Sequence, residues 1–447
     1  MSQVSLHSTV QHCWRALFDQ SLEDCDDAYV QCQRHTRPKE LPSTSAPGLS
    51  SYAALRAQYS LFRAEEVCSR TGVYLRGVHA TNTVFEALDP KDALLRIMTA
   101  AGCEDVMPTT LLLNYDCFDT TVSEQAVSAL LAQVQEFVVK HALEGRVLLK
   151  AALGAGGHGL YFVHSAHDIQ AVICNQLAQA RSKDGFLPQL LREYGEVPQW
   201  SLQALVDPVR VQVEYMEGYS GARKSQVRAH ACYVNGRIYL YDMYEVRLPI
   251  WKESTEADVA EAVEPAKVME TTESTFSFEQ RMVGSSAAVP YNRDRSKPDT
   301  MRLCLSECPE LAGANDCITS TCQRILSALD GQIKSGQLPA DRVPVAEGDS
   351  LSKTLASLET AKLHRMAIIG IDLLITPNSS GTDSDDDFKV YLLEINCNPA
   401  LPQPEKHRMS PNYHKHVKGL CRDLMRLGLS GGIERDNFGF TDCSVVS

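Results

Sequence analysis

The chain has 447 residues, of which 44% are apolar and 22% are charged, so it is long enough for two or three globular domains. A formal net charge of −13 argues against a nucleic-acid-binding protein, because phosphate contacts need a strongly basic face. The N-terminus has no basic segment followed by an apolar core, and no apolar run approaches the roughly 20 residues of a membrane helix. We therefore expect a cytoplasmic protein with neither nucleic-acid nor membrane partners.

Cysteine usage favours a reducing compartment over a disulfide framework. The 15 cysteines are odd in number and scattered along the chain. Cys304, Cys308, Cys317 and Cys322 come nearest to a cluster, but their spacings miss the usual zinc patterns and no histidine lies beside them. The sequence therefore predicts free, structural thiols.

The first part of the chain shows helical patterns and no residues that suggest chemistry. Apolar side chains recur at helical spacing over residues 11–36, and a second helical pattern covers residues 52–68. A stretch rich in Pro and Ser at residues 38–51 separates the two. We interpret residues 1–72 as a helical N-terminal extension and linker.

Residues 73–145 alternate short strands with helices. The patterns predict strands at residues 73–75 and 107–114 and helices at residues 93–101 and 123–142. This alternation predicts a small N-terminal α/β domain.

A glycine-rich loop between two strands is the first feature that suggests chemistry. A strand at residues 146–150 ends at Lys150, a strand at residues 160–163 follows, and the loop between them contains Gly154, Gly156, Gly157 and Gly159. Such glycines let backbone N–H groups approach phosphate oxygens, and Lys150 can reach a phosphate as a point charge. The loop opens no helix, and it lacks both the Walker ending and the partner motifs of a protein kinase. A tight hairpin without a ligand is the alternative.

Further strands follow the loop. A strand at residues 200–206 ends at an Asp-Pro turn, and Asn235-Gly236 predicts a hairpin between residues 223–234 and 237–242. Gln226, Arg228 and His230 share one face of the first hairpin strand, for which a solvated basic edge is the alternative to a functional role.

The polar stretch at residues 252–302 predicts a mobile insertion or lid. Beyond it, helical patterns occur at residues 318–333, 355–364 and 413–427.

Two apolar strands near the C-terminus carry a candidate metal site. A strand at residues 366–376 and another at residues 389–399 are joined by a loop rich in Ser, Gly and Asp. If Thr376 faces Phe388, Asp372 lies opposite Leu392 and on the same face as Glu394 and Asn396. Two carboxylates and an amide oxygen suit Mg²⁺, which also binds nucleotide phosphates. The alternative is an edge hairpin whose polar residues face water.

Several of these segments together resemble the ATP-grasp fold, and within it the tubulin-tyrosine-ligase-like family. The segments that carry the resemblance are Lys150 with the glycine loop, Arg223-Lys224 with Arg228, Arg247, Asp372, and Glu394-Ile395-Asn396 with Pro399. Pro90-Lys91-Asp92, Met107-Pro108-Thr109 and Gln203 to Pro208 extend it upstream, so it covers about residues 80–425.

The resemblance implies an α/β (α+β) protein with an ATP-grasp fold, a preceding N-terminal α/β domain and the N-terminal helical extension. On this scheme residues 146–202 form the central lobe with the glycine loop, and residues 203–428 form the C-terminal lobe with its insertion. Residues 429–447 are left as a tail.

The resemblance also implies a role for each matching residue. Lys150, Gly154, Gly156, Gly157 and Gly159 would hold the phosphates of ATP. Gln203, Ala204 and Leu205 would line the adenine pocket, and Lys224 would contact the nucleotide. Arg228 and Arg247 would neutralise the transferring phosphate or the peptide carboxylate, while Asp372, Glu394 and Asn396 would hold Mg²⁺.

The implied reaction forms an amide bond through an acyl phosphate, between a free amino acid and an acidic protein tail such as that of tubulin. A cytoplasmic protein associated with microtubules, cilia or flagella would follow. One departure stands out, because the family's Lys-Phe-Asp-x-Arg is Lys224-Ser225-Gln226-Val227-Arg228 here. A ligase for a small carboxylate and a non-catalytic nucleotide-binding protein are the alternatives.

Overall fold

The structure is a computed structural model, and it describes part of the chain. The described residues are 4–8, 30–32, 72–75, 91–113, 124–143, 147–151, 160–163, 200–213, 221–234, 236–249, 300–335, 364–378, 387–397, 399, 407–430 and 439–444. The predictions for the linker at residues 38–51, the helix at residues 52–68, the glycine loop, most of the insertion and residues 355–363 lie outside the described residues.

The strands and helices of the described residues follow in chain order. The strands are β1 Val4–Ser8, β2 Val30–Cys32, β3 Gly72–Leu75, β4 Thr110–Leu113, β5 Val147–Ala151, β6 Leu160–Val163, β7 Trp200–Ala204, β8 Arg210–Val213, β9 Gly221–Lys224, β10 Gln226–Val234, β11 Arg237–Tyr241, β12 Glu245–Pro249, β13 Thr300–Cys304, β14 His364–Pro377, β15 Phe388–Cys397, β16 His407–Met409 and β17 Phe440–Asp442. The helices are α1 Lys91–Ala100, α2 Glu124–Lys140, α3 Ala314–Lys334 and α4 Pro411–Ser430.

A large sheet forms the centre of the described structure. Its strands follow the order β16-β13-β12-β10-β14-β3-β1-β2, with β11 and β15 added beside β10 and β14, and with β17 pairing with β11. The pairs among β10, β11, β12, β14 and β15 are antiparallel, whereas β14 with β3, β3 with β1, and β1 with β2 are parallel. Helices combined with largely antiparallel sheets confirm the predicted α+β class.

A second, antiparallel sheet carries the hairpin on which the glycine loop was predicted. Its strands follow the order β4-β7-β5-β6, and Lys150 at the end of β5 pairs with Leu160. This confirms the strands on either side of the loop. The chain then crosses to the large sheet, where the backbone N–H of Val209 donates to the carbonyl of Ile375 at 2.7 Å.

The two faces of the large sheet differ in chemistry. Alternate residues of the central strands, such as Ala229, Ile371 and Leu373, face an apolar core that α3 covers with residues at helical spacing. The opposite face carries the charged residues of β10, β12 and β14, and α4 packs on part of it through buried side chains that include Tyr413. The polar face beside α4 is where the candidate site lies.

Three short strands lie in segments for which the sequence patterns predicted no strand. Val30–Cys32 is a strand within the region predicted as helix, and it joins the large sheet by pairing with β1. Thr300–Cys304 is a strand rather than the end of the insertion. Phe440–Asp442, predicted to lie in a tail, pairs with β11. No helix among the described residues is long and apolar enough to cross a membrane.

Candidate functional site

A β-bulge at Leu393 brings the three predicted metal ligands to one face. The sequence places Asp372 opposite Leu392, but in the structure Asp372 is paired with Glu394, and Leu373 is paired with Leu392. The extra residue, Leu393, switches the alternation of β15, so that Leu392 and Ile395 both enter the core. The predicted register is therefore wrong, although Asp372, Glu394 and Asn396 share a face as expected.

The side chains of these three residues touch one another. The amide nitrogen Nδ2 of Asn396 donates to Asp372 Oδ2 at 3.0 Å and to Glu394 Oε1 at 3.2 Å. A half-turn of the Asn396 amide would place its oxygen, instead of Nδ2, beside these two carboxylate oxygens. The resulting spacing would suit Mg²⁺, because neighbouring ligand oxygens around an octahedral Mg²⁺ lie about 3 Å apart. The donor set therefore fits a hard cation. Among the described residues no cluster of three His, Cys, Asp or Glu side chains could hold a metal, and the predicted set relies on an amide for its third donor.

Two arginines approach Asp372 from neighbouring strands. Arg228 of β10 donates to both carboxylate oxygens, with distances of 2.6 Å from Nε and 2.7 Å from Nη2. Arg247 of β12 donates from Nη1 to Oδ1 at 3.5 Å. Burial alone would raise the pKa of Asp372, but Arg228 and Arg247 lower it to about 2. Asp372 is therefore charged, and both of its oxygens accept from Arg228. A cation would take the position on Oδ2 where the amide nitrogen of Asn396 donates.

A second buried carboxylate lies on the other side of Arg247. Glu245 accepts from Arg247 Nε at 2.6 Å, from Arg302 Nη1, and from the Tyr413 hydroxyl at 2.9 Å. Burial opposes its charge, but the guanidinium groups of Arg247 and Arg302 hold the pKa of Glu245 well below its usual range. This group connects α4 to the predicted site.

Two lysines, Lys91 and Lys150, lie near Glu394. Lys91, the first residue of α1, places Nζ 4.0 Å from Glu394 Oε2. Lys150 is buried at the end of β5, and burial, followed by the charge of Lys91, lowers its pKa to about 7. The negative charge of Glu394 partly opposes this. An anion bound beside Lys150 would favour its charged form.

The other predicted nucleotide contacts lie beside the segment that joins the two sheets. Gln203 is buried near the end of β7, where its amide donates to Thr110 Oγ1 at 3.0 Å, and Ala204 and Leu205 follow it, half-buried. Lys224 places Nζ 3.2 Å from Asp207 Oδ1. Gly154, Gly156, Gly157 and Gly159 lie outside the described residues.

Four residues of this site were not predicted. Lys91 and Tyr413 come from helix starts, Glu245 comes from β12, and Arg302 comes from the segment expected to be an insertion. A sequence signal existed for Glu245, which alternates with Arg247 and so shares its face of the strand. No such signal existed for Arg302, which becomes part of the site only because β13 pairs with β12.

Fold and site together define an α+β protein whose polar sheet face holds several buried cations beside two carboxylates and an amide. A scan of family models and a search of curated proteins each find no match to this chain. Among solved structures, the chain is similar to the C-terminal domain of K. lactis Pby1, described as an ATP-grasp enzyme that interacts with the mRNA decapping enzyme Dcp2. The identity is 11%, the TM-score is 0.49, and the alignment covers 100% of this chain and 99% of the other.

Proposed function

We propose that the protein is an ATP- and Mg²⁺-dependent ligase of the ATP-grasp, tubulin-tyrosine-ligase-like kind. It would join an amino acid to a protein carboxylate through an amide bond. One observation carries this proposal: Asp372, Glu394 and Asn396 touch one another on a face that also holds Arg228 and Arg247. That face brings oxygen donors for a cation together with guanidinium groups for anions.

The charges beside this group support a nucleotide as the first ligand. Lys91 and Lys150 lie near Glu394, and Lys150 ends the strand that leads into the glycine loop. Two lysines for one carboxylate leave positive charge for phosphate oxygens, whereas the whole chain carries −13. Mg²⁺ bound by Asp372, Glu394 and Asn396 would supply further charge neutralisation for the phosphates.

The proposed chemistry needs no nucleophilic side chain. A carboxylate oxygen of the acceptor attacks the γ-phosphorus of ATP, ADP leaves, and an acyl phosphate forms. The amine of the amino acid then attacks the acyl carbon, phosphate leaves and the amine loses a proton. The protein's part is to hold the anionic groups together and to stabilise their charge, for which Arg228 and Arg247 are placed beside Asp372.

The acceptor we propose is the glutamate-rich tail of tubulin or a similar acidic segment. Such a segment would be repelled by the net charge of the protein, but exposed charges more than about 8 to 10 Å away are screened at physiological salt. The local excess of arginine and lysine would then decide binding. Activity on an acidic peptide should accordingly fall as salt is raised.

The experiment that tests this proposal is incubation with Mg-ATP, tubulin and one of glutamate, glycine or tyrosine, followed by mass spectrometry of the tubulin tails. We expect a mass increase of one or more residues for one amino acid. Glu394→Gln should lower that activity at least about 100-fold, whereas Glu136→Gln, an exposed change on α2, should not.

Other results of this experiment would indicate one of the two alternative functions. ATP consumption with a small carboxylate but not with tubulin would indicate a small-molecule ligase. Binding of Mg-ATP that raises the melting temperature, without turnover on any acceptor, would indicate a non-catalytic nucleotide-binding protein. Absence of any shift at millimolar Mg-ATP would contradict the nucleotide proposal altogether.

A further inference from the structure

Arg302 is a buried cation on the polar face for which the proposed nucleotide chemistry has no use. It lies on β13 directly opposite Arg247 of β12, so both side chains point to the same face. Its Nη1 donates to Glu245, while its buried Nε has no hydrogen-bond partner in the described part of the chain. A buried N–H without a partner is unfavourable, so a ligand that accepts from this guanidinium would be favoured.

The charges around Arg302 do not balance. The buried carboxylates of Asp372 and Glu245 face three buried guanidinium groups, those of Arg228, Arg247 and Arg302. Burial, followed by the charge of Arg247, lowers the pKa of Arg302 to about 10, so the guanidinium is still charged at neutral pH. Burial also raises the pKa of Tyr413 well above its usual range, so its phenol adds no negative charge. The buried group has one positive charge in excess.

The excess positive charge at Arg302 is separate from the positive charge of Lys91 and Lys150 near Glu394. The strand order from Arg302 to Glu394 is β13-β12-β10-β14-β15, which is four strand spacings of about 4.8 Å, or about 19 Å between backbones. Lys91 lies beside Glu394, with Nζ 4.0 Å from Oε2, and Lys150 interacts with the charges of both. The polar face therefore has two cationic ends with the Arg228–Asp372 pair between them, and it can hold two different anions.

We propose that Arg302, together with Arg247, binds the carboxylate of a substrate at the end of the face away from the lysines. A guanidinium matches a carboxylate because its N–H groups form a planar fork, and two guanidiniums carry enough positive charge for one anion besides Glu245. Glu245 and Tyr413 are positioning residues, since they hold the two arginines in place from β12 and α4. This inference rests on the proposed ligase, which must bind a substrate carboxylate in addition to its nucleotide.

The carboxylate has two possible sources in that reaction, the acceptor side chain and the α-carboxylate of the free amino acid. Both present the same group to Arg302, and kinetics separates them. The variants to compare are Arg302→Gln, which removes the charge, and Arg302→Lys, which keeps the charge without the fork. Arg324→Gln is the matched control, because Arg324 is exposed and pairs with Asp105 on the surface.

Initial rates should be measured with the amino acid varied at saturating acidic peptide, and then with the peptide varied at saturating amino acid. We expect Arg302→Gln to raise the KM of one of the two at least tenfold, while the KM of Mg-ATP stays within about twofold. Arg302→Lys should recover part of the loss, and Arg324→Gln should behave as wild type. The substrate whose KM rises identifies the source. If it is the free amino acid, its α-carboxamide should no longer distinguish the variant from wild type.

A purely structural role of Arg302 would instead lower the melting temperature and weaken Mg-ATP binding in both variants, and that result overturns the inference. Unchanged KM values for both substrates overturn it as well. If the protein shows no turnover, calorimetry with L-glutamate and with a glutamate-rich peptide replaces the rates. Binding that is lost in Arg302→Gln and kept in Arg324→Gln supports the carboxylate site even though the ligase proposal fails. Binding that is equal in all variants, or absent from wild type, rejects the site.

Discussion

At the scale of single residues, Gly370 lies where the site has no space for a side chain. It lies on β14 opposite Asn396, two positions before Asp372. A Cβ at this position would lie 2.7 Å from Cβ of Pro399 and 3.4 Å from Nε of Arg228. Because the proline ring is tied to its backbone, it cannot move aside as the end of a flexible side chain could. The glycine therefore lets β15 and Arg228 approach Asp372 together.

We predict that Gly370→Ala displaces Pro399, whose Cβ would lie 2.7 Å from the added methyl carbon. It should destabilise the fold by about 1–3 kcal/mol and weaken the binding of Mg-ATP, as measured by denaturant unfolding and by thermal shift with nucleotide. Gly331→Ala on α3 is the control, because nothing lies within 4 Å of its added Cβ. It should stabilise the helix by about 0.5–1 kcal/mol. A Gly370→Ala variant with wild-type stability and nucleotide binding would contradict the close packing.

At the residue scale, the sequence predicted those site residues that are recognisable from the pattern of their own strand. Asp372, Glu394 and Asn396 could be found from strand alternation, and Arg228 from its face of a hairpin strand. Arg302 and Tyr413 could not, because each reaches the site only when a strand or helix distant in sequence packs beside β12. Their chemistry depends on tertiary pairing, which has no period in the sequence.

At the scale of elements, the main error lay in the register of one hairpin. The strands β14 and β15 were predicted nearly to their ends, and Pro377 pairs with Phe388 only one position from the expected partner. That shift alone would have put Glu394 on the core face, because side chains alternate with a period of two. The bulge at Leu393 reverses the error. A bulge depends on how the strand must twist against its partners, so alternation could not predict it.

The sequence analysis left β17 in a C-terminal tail, but in the structure this strand forms part of the large sheet. It pairs with β11, and the backbone N–H of Cys443 donates to the carbonyl of Ile238 at 2.9 Å. Truncation after residue 438 should lower the melting temperature by several degrees and promote self-association, because it uncovers the edge of β11. Truncation after Ser444 keeps the strand and is the control. Equal melting temperatures and equal elution volumes of the two truncated proteins would show that β17 does not protect this edge.

At the scale of the whole molecule, the sheet separates an apolar face from a polar face that α4 only partly covers. The α+β class and the hairpin positions followed from sequence patterns. The parallel addition of β1 and β2 to the large sheet did not, since it depends on contacts between Ser5 and Gly72 and between His364 and Val73. Ionisable groups are also buried under α4, and they make the free energy of unfolding of the whole protein depend on pH.

Two histidines are buried where α4 meets the polar face. Neither ring nitrogen of His416 has a hydrogen-bond partner in the described part of the chain, and the ring lies 5.7 Å from Tyr413 and 5.6 Å from Tyr241. Burial lowers the pKa of His416 to about 4 and that of His230 to about 3, and the charge of Glu245 opposes both shifts. Both imidazoles are therefore neutral in the folded protein at pH 7.

This predicts acid sensitivity between about pH 6.5 and pH 4. In that range the unfolded chain binds protons at both histidines and the folded chain does not, so the free energy of unfolding falls as the pH falls. The slope should approach about 1.4 kcal/mol per pH unit for each histidine. His416→Phe should therefore lower the total slope by about that amount, as measured by urea unfolding at several pH values. His414→Gln, an exposed change on the same helix, should leave the slope as in wild type, and a His416→Phe variant with the wild-type slope would show that His416 is not buried in its neutral form.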